Sequence, residues 1–303
     1  EGTDEESQGK VKIKKIGQVA HGKETLNFNR KNPVWTRNPD EVTQDEYVAL
    51  YKSLTNDSEE YAAVKDFNAG GRQLKFRSLL FVPTRASVDE GGNKLKGNNF
   101  KVYVRETFIT DNCEKLTLMP EYLRFVKVSS LSLLVRSCHP PTWGVINMVD
   151  LPKNTSRESL LQHQILRVIR KNLVDKSIEL FDEISEDADK HKGFYKSFSK
   201  NIKLGIQEDS TNRAKLAKLL RFYSTKSGEE MTSLDDYVAR MGTSQEGIYY
   251  VTGESKEAVE TSPSLASFRK EGHEVLFMVD TMDDYVMQQL KEYKGKTFVC
   301  VSK

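Results

Sequence analysis

The sequence has little cysteine: three residues in 303, Cys113, Cys138 and Cys300, odd in number and without metal-ligand spacing. A disulfide framework and a structural metal site are therefore excluded, and a reducing compartment, the cytoplasm, is expected. No run approaches the roughly 18 apolar residues of a membrane-spanning helix, and the acidic, polar residues 1–7 do not resemble a signal peptide. Charge of one sign is not in excess either, since 46 Lys and Arg face 44 Asp and Glu for a net +2. That balance argues against a dedicated nucleic-acid binder, and the short basic run at 10–15 reads as a solvated linker or edge strand. A phosphate loop is missing: Gly92 and Gly97 have its spacing, but Asn98 and Asn99 stand where Lys and Ser or Thr are needed. No catalytic triad can be assembled, because Cys138 and His139 are adjacent and no other Asp, Ser and His fall at a suitable spacing.

What is present is a chain 30% charged and 37% apolar, long enough for two compact units with well-solvated surfaces. Residues 1–25 mix charge with glycine and read as a flexible lead-in. Trp35 lies in a proline-bounded extended segment, 32–39, ahead of a helix expected over 43–54. A hairpin is expected next, with Leu74, Phe76 and 79–82 on one strand, Phe100, Val102 and Val104 on the other, and a polar loop at 84–99 between them. Beyond Thr155, Leu161, Ile165, Val168 and Ile169 fall on one helical face and Arg167, Arg170 and Lys171 on others, as in a helix packed on a sheet. Further helices are expected over 176–206 and 211–222. The last third alternates strand 248–251, helix 256–270, strand 275–279, helix 283–293 and strand 297–301, a small β-α-β-α-β layer with its own core.

The most informative stretch is 150–158. Thr155 and Glu158 have the spacing of a capping box, so a helix starts at Thr155 with Arg157 in its first turn. A helix N-terminus carries about half a positive charge and disfavours a cation there. Free amides and a guanidinium fork together suit a phosphate oxygen. The alternative is an arginine that bends back to a surface carboxylate.

The segments Trp35-Thr36-Arg37-Asn38-Pro39, Val102-Tyr103-Val104-Arg105, Asn154-Thr155-Ser156-Arg157-Glu158, Val168-Ile169-Arg170-Lys171-Asn172, 198–205 (Phe-Ser-Lys-Asn-Ile-Lys-Leu-Gly) and 249–254 (Tyr-Tyr-Val-Thr-Gly-Glu) run in unbroken order. They resemble the middle domain of the ninety-kilodalton heat-shock protein (Hsp90) chaperones. The resemblance implies an α/β fold of two αβα sandwiches, the larger like the second domain of ribosomal protein S5. It divides the chain into a charged linker at 1–25, a large subdomain at 26–186, a helical connector at 187–221 and a small subdomain at 222–303. It also implies that Arg157 reaches the γ-phosphate of ATP and magnesium bound on a separate N-terminal ATPase domain, with Asn154 and Gln162 beside it. No cofactor and no metal is expected within these residues themselves, so the segment alone is expected to be inactive. Implied partners are client proteins, an ATPase-activating co-chaperone that meets a surface including Trp35, and a second copy through a C-terminal domain; no nucleic acid or membrane is expected. Trp35 is equally well read as a core tryptophan pinned by its prolines.

The chain departs from the family pattern in three places. The family has two glutamines after Ser-Arg-Glu-x-Leu, the first supporting the phosphate loop, where this chain has Leu161-Gln162. The loop tip that normally carries phenylalanines reads Ser87-Val88-Asp89-Glu90-Gly91-Gly92. Residues 128–143 separate Phe125-Val126-Lys127 from Gly144-Val145-Ile146, which the family joins directly. This insert is rich in Leu and Val and is expected as an excursion on the sheet edge, outside the core; a docking element and a retained intron or gene-model error both account for it. A second functional class, an RNA-binding or ribosome-associated S5-like domain, lacks the aromatic and basic stripe it would need.

Overall fold

A computed structural model describes residues 34, 37–55, 59–70, 74–86, 100–104, 107–110, 119–135, 156–243 and 245–301. Side chains at 54, 70, 74–75, 100–104, 107–110, 128–135 and 156–166 are outside that description. All described residues belong to the unit Pro33–Lys303; the lead-in at 1–25 and the loop tip at 87–92 lie outside them.

Helix α1 (Gln44–Thr55) starts at a capping box, in which the Glu46 amide donates to Thr43 Oγ1 (3.4 Å) and the Thr43 amide to Glu46 Oε2 (3.1 Å). Tyr47, Leu50 and Tyr51 recur at helical spacing and pack with Val34 against Leu79 and Phe81. Those two residues belong to β2 (Leu74–Pro83), whose other face turns Phe76, Leu80 and Val82 toward a second helical layer. The period-two split of β2 between two cores makes the large sheet the middle layer of an αβα sandwich.

The large sheet contains β1 (Tyr61–Gly70), β2, β3 (Phe100–Val104), β4 (Thr107–Thr110) and β5 (Lys127–Val135), in the order β1-β2-β5-β3-β4. The hairpin expected between β2 and β3 does not form. The antiparallel neighbours of β2 are β1 and β5, and β3 pairs in parallel with β5. The expectation for the insert is overturned as well. Residues 128–135 form most of the central strand, with Ser132 opposite Arg77 on one side and Tyr103 on the other. Its Leu and Val content suits a strand hydrogen-bonded on both edges better than an edge excursion. Residues 136–143 lie outside the described part.

Helix α2 (Ser156–Ser185) runs 30 residues, through position 176 where a separate helix was expected. It buries Ile169, Leu173, Ser177, Phe181 and Ile184 along one stripe. Val168 is not on that stripe: it is 42% exposed, because one position beside Ile169 is a rotation of about 100°. Asp187 caps α3 (Ala188–Glu208) by accepting from the amides of Asp189 and Lys190, both at 3.1 Å. After α4 (Arg213–Ala217) the chain becomes strand β6 (Arg221–Ser224), so Phe222 sits in a strand and not at the end of a helix.

The small sheet has the order β10-β11-β8-β9-β6-β7, with β7 (Thr232–Ser233), β8 (Ile248–Thr252), β9 (Val275–Met278), β10 (Glu292–Tyr293) and β11 (Lys296–Cys300). The β11-β8-β9 core is parallel, while β6 runs antiparallel to β9. Helix α5 (Leu234–Arg240) follows β7. Pro263 lies in the gap between α6 (Lys256–Glu260) and α7 (Leu265–Lys270), dividing the single helix expected there. Helix α8 (Asp283–Gln289) ends before β10 instead of continuing to 293. Val251, Val275 and Phe277 face α6 and α7, whereas Ile248, Leu276 and Met278 join the core that also holds α2 and α3.

Candidate functional site

The candidate site is the first turn of α2. Its backbone helix begins at Ser156, directly after Thr155, and Arg157 is its second residue. Gln162 lies on the same helix, and the side chains of Arg157, Leu161 and Gln162 are outside the described set. Asn154 and Trp35 lie outside the described residues altogether.

What the structure defines is the mounting of that helix. Ile169, fully buried, is 12 residues beyond Arg157, about 18 Å along the axis at 1.5 Å per residue. From there the helix is clamped. The Phe125 ring stacks on Phe181 and on Phe198 of α3, at centroid distances of 5.5 and 4.1 Å, and Phe181 also meets Phe194 at 5.1 Å. Lys65 of β1 pairs with Glu179 at 3.3 Å and with Glu183. These contacts anchor the C-terminal half of the helix that bears Arg157 at its start.

A second cluster fixes the two sides of Trp35. Val34 is buried in the α1 core, and the Arg37 carbonyl accepts from Arg77. Arg77 also grips the Asp66 carboxylate with Nε (2.7 Å) and Nη2, and Tyr47 donates to the same carboxylate at 3.0 Å. Burial, with the adjacent Asp66 charge, holds the Tyr47 hydroxyl well above its usual pKa. Arg37 itself pairs with Glu46 at 2.7 Å.

Two buried polar groups organise the small sandwich. Lys203 of α3 reaches Asp283 (2.7 Å) and Asp280 (3.1 Å) at the start of α8. Burial works against its ammonium, but Tyr195, Asp283 and Asp280 outweigh burial and raise its pKa. Glu274 accepts from Arg240 (2.7 and 3.0 Å) and Ser224 (2.6 Å), and its backbone carbonyl accepts from the Tyr237 hydroxyl at 2.6 Å. Sequence reasoning missed both, since each joins residues distant along the chain; a charged residue at a position that helical spacing buries, as for Lys203, was the available signal.

Among the described residues no group of His, Cys, Asp or Glu is placed to hold a metal ion, and no helix is long and apolar enough to cross a membrane. Arg157 stands in the first turn of α2, and the free amides of a helix N-terminus suit an anion.

The Hsp90 protein family model matches residues 1–303. The chain is 49% identical over 290 residues to Heat shock protein 83 of Leishmania donovani, covering 96% of this chain and 60% of that protein. It is 41% identical over 276 residues to the Endoplasmin homolog of Caenorhabditis elegans, covering 91% and 34%. It thus spans about three fifths or less of these relatives. Among solved structures it resembles the middle domain of a putative heat shock protein of Plasmodium falciparum, with a TM-score of 0.72 and 28% identity over 89% of this chain and 100% of that one. The chain belongs to the Hsp90 family and has the fold of its middle domain.

Proposed function

We propose that this segment acts within an ATP-dependent chaperone, lending Arg157 to the γ-phosphate of nucleotide bound on a neighbouring N-terminal domain. The observation that carries the reading is the position of Arg157 in the first turn of α2, where the amides of a helix N-terminus favour an anion. Magnesium and ATP supply the reacting phosphate when bound; Arg157 binds it, orients it and counters charge that grows as the bond breaks. Asn154 precedes the turn and Gln162 follows it, as supports for the approach. Alone, the segment hydrolyses nothing.

The surface around Trp35 receives client proteins and an ATPase-activating co-chaperone, supported by the anchoring of Val34 and Arg37 on either side. Dimerisation runs through a C-terminal domain. The large subdomain ends near 186, the connector near 221, and the location is cytoplasmic, in keeping with the few cysteines. Family membership sets the RNA-binding reading aside. Turnover and nucleotide affinity of the protein with its flanking domains, with and without Arg157, test the proposal.

A further inference from the structure

The ammonium of Lys203 is the one ionised group that α3 buries, and the residue is only 4% exposed. It lies between two carboxylates at the start of α8: Asp283, 2% exposed, at 2.7 Å and Asp280 at 3.1 Å. The Phe222 ring of β6 stands 6.0 Å from the ammonium nitrogen. Asp283 Oδ1 makes its ionic contact without a hydrogen bond, while Oδ2 accepts from the Asp280 amide at 3.0 Å. One cation and two anions are thus held where desolvation is costly and the geometry returns only part of that cost. A buried ion cluster of this kind adds little to stability beside apolar residues of similar volume, and its best-attested use is to fix a register.

A register is what the surrounding apolar packing does not supply. Phe198, Ile202 and Ile206 recur one turn apart along α3, and Val286, Met287 and Leu290 lie along α8 and at its end, all in one buried core. Hydrophobic contact is non-directional, so a row of apolar side chains offers a short helix similar seats about 5.4 Å apart. A buried carboxylate is more selective. Position 203 is the one place on α3 where Asp283 meets a buried cation, and a shift of one turn would leave that carboxylate against Phe198 or Ile206.

We infer that Lys203, with Asp283 and Asp280, is a register pin that selects one seating of α8, and so of the small sandwich, on α3. The inference does not rest on the role proposed for Arg157.

Melting temperature and methyl NMR of Met287, a buried residue of α8, test this on the 303-residue chain. Lys203→Leu alone should lower the melting temperature by about 6 °C or more, because it leaves Asp283 buried without its cation. Adding Asp283→Leu should return the melting temperature to within about 2 °C of the parent or above it. The Met287 methyl, a single resonance in the parent, should nevertheless split or broaden in the double variant, a change that loss of a merely stabilising pair would not produce. The double variant decides the matter even where the single one fails to fold. A double variant that melts as low as the single one overturns the inference, because the cluster then acts through stability. A single sharp Met287 resonance in the double variant overturns it as well, because apolar packing then fixes the register unaided.

Discussion

Arg77 and Asp66, diagonal neighbours across the β1–β2 hairpin, form a two-point ion pair, and the remaining guanidinium nitrogen of Arg77 ties down the Arg37 carbonyl. Both side chains are nearly buried, so the pair is worth more as a constraint than as a charge attraction. It joins the sheet to the segment that leads to Trp35.

Arg77→Met should therefore cost about 3 to 5 kcal/mol, because it leaves the Asp66 carboxylate buried without its cation. Adding Asp66→Leu should recover a large part of the loss. Urea unfolding of the three proteins measures this; a single-variant loss below about 1 kcal/mol would mean that the pair is solvated and does not anchor the segment.

His191 sets an acid limit on stability. Its ring is buried between α3 and the strand at Arg221; burial, then the Arg221 charge, lower its pKa to about 4, against a weaker upward pull from the Leu219 backbone. The unfolded chain binds a proton near pH 6.5 while the folded one does not until about 4. Stability from this residue is thus intact above 6.5 and falls as pH drops toward 4, by up to about 1.4 kcal/mol per pH unit. His191→Gln should flatten that part of the unfolding free energy against pH. Parallel curves for the two proteins would remove His191 from the account.

Ser132→Pro probes the central strand. A proline there removes a ladder hydrogen bond and clashes between two neighbours, costing about 3 kcal/mol or more. A melting temperature within a degree of the parent would show that residues 128–135 stand outside the sheet.

Much of the fold was legible because it is local. The helix from about 43, the strands at 248, 275 and 297 and the helix following Thr155 are written in cap chemistry and short apolar runs. What sequence reasoning missed is decided at long range. Nothing near Lys75 says that its partners are Gly70 and Leu134 sooner than the strand at Phe100, and β1, with Lys65, Asp66 and Asn68 among its apolar residues, does not announce a strand. Residues 128–135 are an addition to the family pattern, which points to the periphery, whereas their own β-forming content agrees with the strand they form. At the candidate site, the sequence identified the helix start that bears Arg157. The clamp behind it, built from Phe125, Phe181 and Phe198, needs three elements brought together and has no signature in any one of them.

The most direct measurement compares ATP turnover and nucleotide affinity for the protein with its flanking domains, before and after Arg157→Ala. If Arg157 meets the γ-phosphate, its contact strengthens as charge develops in the transition state. Turnover should then fall on the order of tenfold to a thousandfold, while nucleotide affinity stays within about threefold. Unchanged turnover, or a loss of affinity as large as the loss of turnover, would contradict the assignment.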